Sequence, residues 1–80
     1  MNHKGREIGR LDVVSLLREM VRELDEGEAE WLNTTLPTFL EALAGWLEDS
    51  PGYYRNRGEE YPDVDWHFVA DCIRAAQIYE

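Results

Sequence analysis

Residues 11–26 read LDVVSLLREMVRELDE, and their spacing decides the fold class. Val13, Leu16, Leu17, Met20, Val21 and Leu24 recur at i, i+3, i+4 and i+7, the register of one face of an α-helix. Ser15, Arg18, Glu19, Arg22 and Glu23 take the other side, so the segment is amphipathic and its apolar stripe needs a cover. Asp12 is the expected N-cap, because its carboxylate can accept from the orphan amides of a first turn. Gly27 is the expected stop, being the residue that most readily turns left-handed after a helix. Glu19, Arg22 and Glu26 stand at ion-pairing distance along the polar side.

Working outward, the same register appears twice more. Thr34 or Thr35 is placed to cap a second helix, with Pro37 in its first turn, where a missing N–H is harmless. Phe39, Leu40, Leu43, Trp46 and Leu47 form its inward face, and Ser50-Pro51-Gly52 is expected to end it. Gly45 lies on the polar side as either a tolerated imperfection or a place of close approach. Asp63 or Asp65 is expected to cap a third helix running to the C-terminus. There Trp66, Phe68, Val69, Cys72, Ile73, Ala76 and Tyr79 leave only a narrow polar strip of His67, Asp71, Arg74 and Gln77. Such a pattern predicts the most buried of the three helices, with Cys72 as a small buried apolar residue.

No stretch has a useful β-period. The sequence therefore predicts an all-α, compact three-helix domain over residues 11–80, preceded by a loose polar tail at 1–10. A short helical connector at 27–34 and one long packed loop at 50–62 join the helices. Trp31 and Leu32 are expected to cover an end of the core.

The chain has 80 residues and a net charge of −9. The charge is uneven: residues 11–80 hold five basic and sixteen acidic side chains. Such a surface repels phosphate backbones and anionic lipid, which argues against nucleic acid and membrane partners and favours a basic one. No segment approaches the roughly 20 apolar residues needed to span a bilayer. Cys72 is the only cysteine, which fits a reducing, cytoplasmic setting better than a disulfide-built one.

Candidate chemistry is thin. His67 and Asp71 sit at i, i+4, where a carboxylate can orient an imidazole, but no nucleophile or third ligand accompanies them, and a surface ion pair explains them. Cys72 and His67 point about 140° apart on a helical wheel, too far to act together. Asp63 and Asp65 could hold a cation, yet capping accounts for them. The acidic run Asp25, Glu26, Glu28, Glu30 lacks calcium-loop spacing. No catalytic residue, metal site or cofactor is expected. The candidate binding residues are Tyr53, Tyr54, Arg55, Asn56, Arg57 and Tyr61, a mixture of ring and guanidinium groups that dominates protein hot spots and can also stack on bases.

Phe39-Leu40-Glu41-Ala42-Leu43, Trp46-Leu47-Glu48-Asp49, Gly52-Tyr53-Tyr54-Arg55-Asn56, and Trp66 through Ala75-Ala76-Gln77-Ile78-Tyr79-Glu80 together carry a resemblance. Over residues 12–80 the chain resembles a family of small bacterial single-domain proteins of unknown function with a W-L-E-D, G-Y-Y-x-N, W, A-A-x-x-Y-E pattern. The resemblance implies a bacterial, cytoplasmic, stand-alone protein. It draws attention to 52–57 and to Tyr79-Glu80 without giving either a role.

The expectation is a non-enzymatic acidic protein-interaction module, an inhibitor or immunity-type protein for a basic partner being one form of it. The alternatives are a small-ligand or metal-binding domain with a site at 52–67, and a weak single-stranded nucleic-acid binder.

Overall fold

A computed structural model describes residues 8–79, and among them there are three α-helices and no strand. These are α1 (Arg10–Asp25), α2 (Leu36–Asn56) and α3 (Trp66–Ala76). The chain divides into two units between Phe39 and Leu40.

The first unit is built on α1. Its N-cap is Gly9 and not Asp12. Asp12 lies in the first turn instead, where its carboxylate accepts from the Gly9 amide at 2.8 Å and faces the positive end of the helix. Of the expected tail, residues 1–7 lie outside the described residues, while Gly9 and Arg10 already belong to the helix start. At the other end Gly27 adopts φ +71°. This lets the Glu28 amide donate to the Glu23 carbonyl at 2.8 Å and the Gly27 amide to the Leu24 carbonyl at 3.2 Å, so the last turn's free acceptors are satisfied. The stop at Gly27 is therefore where its left-handed freedom puts it.

Arg22 gathers the acids of this end. Its guanidinium pairs with Glu19, with Glu26 at 2.7 Å and, across the glycine turn, with Glu28 at 3.2 Å. The hydrogen bond to Arg22 holds the Glu19 carboxyl below its ordinary value, and the same contact raises Arg22. A carboxyl depressed in the folded state contributes fully above its ordinary pKa, and the contribution disappears as pH falls through the depressed one. Acidification through the carboxylate range should therefore weaken the Glu19–Arg22 pairing within α1, read as amide exchange that speeds up around Glu19 and Arg22 more than at the Val13 end of the helix. Uniform acceleration along α1 would refute it.

The connector after Gly27 is irregular and not a helical turn. Seven residues between a left-handed glycine and the Thr35 cap are too few to repay helix nucleation. Trp31 stacks on Phe39, with ring centroids 6.1 Å apart, and staples the entry of α2. Leu32 covers nothing, being 98% exposed. Thr35 caps α2 reciprocally: its hydroxyl accepts from the Thr38 amide and its own amide donates to the Thr38 hydroxyl, both at 3.2 Å.

The second unit holds most of α2 and all of α3. Here α2 runs through Ser50-Pro51-Gly52 to Asn56, so residues 50–56 are helix, and the irregular stretch is 57–65. The stop is Gly58 at φ +71°, with the Glu59 amide donating to the Tyr54 carbonyl at 2.9 Å and the Gly58 amide to the Arg55 carbonyl at 3.0 Å. It repeats the turn at Gly27. Asp65 caps α3 by accepting from the Phe68 amide at 3.1 Å, and α3 ends at Ala76, short of the C-terminus.

The expected dry interior is absent from each unit. No apolar side chain among the described residues is buried. Leu17 in the first unit and Ile73 in the second, both assigned to the core by the pattern, are 56% and 42% exposed. Cys72 is exposed as well. An amphipathic stripe is buried only against a second apolar face, and neither unit closes one helix on another. Apart from its chain neighbours and the backbone of its own helix, Gly45 has no atom within 4 Å of the place a Cβ would occupy, so no close approach explains it. Gly45→Ala should accordingly raise the midpoint of thermal unfolding, by helix propensity worth about 1 kcal/mol. An unchanged or lower midpoint by circular dichroism would contradict this.

Candidate functional site

The site begins with a proline in the wrong place for a helix. Pro51 lies inside α2 and has no N–H to give the Leu47 carbonyl four residues back. The Ser50 hydroxyl takes over that task, donating to the Leu47 carbonyl at 2.8 Å. Its only proton is then committed. The Tyr61 hydroxyl, 2.8 Å from Ser50 Oγ, must therefore be the donor in that contact. The chain of bonds runs from Tyr61 O–H to Ser50 Oγ and from Ser50 O–H to the Leu47 carbonyl. Ser50 is fully buried within it.

Because α2 continues past Pro51, Trp46, Ser50, Tyr53 and Tyr54 fall at i, i+4, i+7 and i+8, on one helix face, and Arg57 follows just past the helix end. Tyr61, anchored at Ser50, extends that face into the connector. The result is a ladder of five rings. Trp46 and Tyr53 are 5.8 Å apart between centroids, and Tyr53 meets Tyr54 edge-on at 5.0 Å. Tyr54 meets Tyr61 edge-on at 5.6 Å, and Tyr61 stacks on Trp66, the first residue of α3, at 6.5 Å. Edge-to-face and offset contacts of this kind suit the ring quadrupoles and are worth about 0.5–1.5 kcal/mol each beyond burial. Rings, and not helix-on-helix packing, tie the start of α3 to α2.

The rings remain accessible: Trp46, Tyr53 and Trp66 are each close to half exposed. Arg57 lies over the Tyr53 ring, its guanidinium carbon 5.2 Å from the centroid. It also donates to Glu59 at 3.2 Å. That hydrogen bond and the nearby Glu59 charge raise the Arg57 pKa above its already high ordinary value.

Of the residues singled out in the sequence, Tyr53, Tyr54, Arg57 and Tyr61 come together. Arg55 and Asn56 take no part in the ring ladder, and Arg55 makes no ion pair among the described residues. Trp46, Trp66 and Ser50 belong to the site although their pattern assigned the two tryptophans to the core. The signal for them was helical spacing across Pro51, concealed by a Ser-Pro-Gly run that resembles a stop. His67 and Asp71 occupy one face of α3 without the expected ion pair. Among the described residues no three His, Cys, Asp or Glu side chains converge as metal ligands, and no helix is long and apolar enough to cross a membrane. Tyr79 is largely exposed, and Glu80 lies outside the described residues.

No curated protein and no solved structure matches the chain. Residues 9–80, which include both units' helices and the whole ring ladder, match a family of unknown function, DUF7660. The chain belongs to that family.

Proposed function

We propose that this chain is a non-enzymatic interaction module that binds a basic protein through the ring ladder from Trp46 to Trp66. The supporting observation is a set of half-exposed aromatic rings, pinned through Tyr61 and Ser50, on a chain of net charge −9. Aromatic side chains offer large contact area at low entropic cost, and rings already fixed by neighbours lose little more on binding. The negative body steers a positively charged protein toward them. Neutralising a basic toxin or nuclease in a bacterial cytoplasm is the specific form of the reading we favour.

The test is affinity capture from a native bacterial lysate with the full chain and a Tyr53→Ala/Tyr54→Ala variant, both shown to be helical. A protein of high isoelectric point retained by the former and lost from the latter supports the reading. Equal retention by both, or retention of acidic proteins only, overturns it.

A further inference from the structure

We propose that the Tyr53 ring and the Glu59 carboxylate form a receptor for the guanidinium group of an arginine on the partner, occupied in the free protein by the chain's own Arg57. The inference rests on the interaction reading above and names the chemistry of the partner. Arg57 shows what this surface holds: a guanidinium over a ring, with a carboxylate at its edge. Three features build the receptor without Arg57. The Tyr53 ring is fixed between Trp46 and Tyr54. Glu59 is placed by the Gly58 turn, whose left-handed backbone lets the Glu59 amide reach back to the Tyr54 carbonyl. The negative end of α2, which closes at Asn56, adds to the attraction for a cation.

The present occupant is easily displaced. Arg57 and Glu59 keep 54% and 46% of their side-chain surface in water, where ion pairs and cation–ring contacts are weak. An incoming arginine carried by a basic protein replaces Arg57 contact for contact, and the rest of the interface supplies the net gain. Arginine suits this place better than lysine. A planar guanidinium can lie on a ring and still direct N–H groups sideways to a carboxylate, whereas an ammonium is a more strongly hydrated point charge.

The experiment titrates the full chain with nona-arginine and with nona-lysine at fixed ionic strength, following tyrosine and tryptophan fluorescence and confirming by calorimetry. Nona-arginine should bind roughly tenfold more tightly than nona-lysine, a difference of one decade in Kd. Arg57→Lys keeps the net charge but weakens the internal occupant, and should raise that preference severalfold. Tyr53→Ala should abolish the preference, and Tyr53→Phe, which keeps the ring, should retain it. Equal affinity for the two peptides overturns the inference while leaving a basic partner in place. A preference reduced by Arg57→Lys overturns it as well, because Arg57 would then be a contact and not a competitor. If neither peptide binds, the receptor is refuted, and the capture experiment alone decides the broader reading.

Discussion

Ser50→Ala is expected to be among the most destabilising single substitutions in the second unit, although it removes one oxygen atom. The change leaves the Leu47 carbonyl without a donor, because Pro51 cannot supply one, and it strips the Tyr61 hydroxyl of its acceptor. Both bonds are only part-buried, so each is worth about 0.5–1.5 kcal/mol. The midpoint of thermal unfolding by circular dichroism should fall accordingly. Pro51→Ala supplies the control. It restores an N–H to the Leu47 carbonyl and should stabilise α2, by less than the ~3 kcal/mol a proline costs an ordinary helix interior, since Ser50 already offsets part of that cost. In the Pro51→Ala background the same Ser50→Ala change should cost less, because only the Tyr61 hydroxyl then loses its partner. A full penalty in both backgrounds would mean that Ser50 does not serve the carbonyl exposed by the proline. Tyr61→Phe should cost less than Ser50→Ala, because its ring stays between Tyr54 and Trp66.

Tyr53→Ala carries the second large effect, on binding. Tyr53 touches three groups of the site: Trp46, Tyr54 and Arg57. Truncating a ring at the centre of an aromatic hot spot costs at least about 2 kcal/mol of affinity, roughly thirtyfold in Kd. Arg55→Ala and Asn56→Ala, neighbours in sequence that lie outside the ring ladder, should change affinity less than threefold, near the level of an energetically neutral contact. Both sets are read by calorimetric titration with the captured partner. Equal losses at Tyr53 and Arg55 would place the interface elsewhere.

How much of this was legible depended on how local the cause was. The stripe from Val13 to Leu24 and the glycine at 27 specify α1 almost completely, since helical register and a left-handed stop act within a few residues. The cap of α3 was narrowed to Asp63 or Asp65 for the same reason, and it is Asp65. The end of α2 did not. Ser50-Pro51-Gly52 has the composition of a helix stop, and what overrides it is the Ser50 hydroxyl on the Leu47 carbonyl, with Tyr61, eleven residues on, donating to that same hydroxyl. The Ser50 bond is local but reads in sequence like an ordinary turn serine, and no local pattern reports the Tyr61 contact. The ring ladder was hidden with it, because Trp46 and Tyr53 share a face only if the helix continues. The expected interior failed for a different cause. Hydrophobic periodicity states which side of a helix is apolar, but it does not state what lies against that side, and the stripes of Leu17 and Ile73 remain open.

The Pro51 arrangement also constrains the order in which the sequence can change. While the proline stands, the Ser50 hydroxyl is needed at the Leu47 carbonyl, and a descendant that drops the serine first must pass through a weakened intermediate. One that exchanges the proline first relieves the serine of that carbonyl, and on then losing the serine gives up only its contact with the Tyr61 hydroxyl. Relatives of this chain that keep the proline should therefore keep the serine, whereas those without the proline are free to carry serine or another residue. A proline followed through descent without its hydroxyl neighbour would be the rare combination.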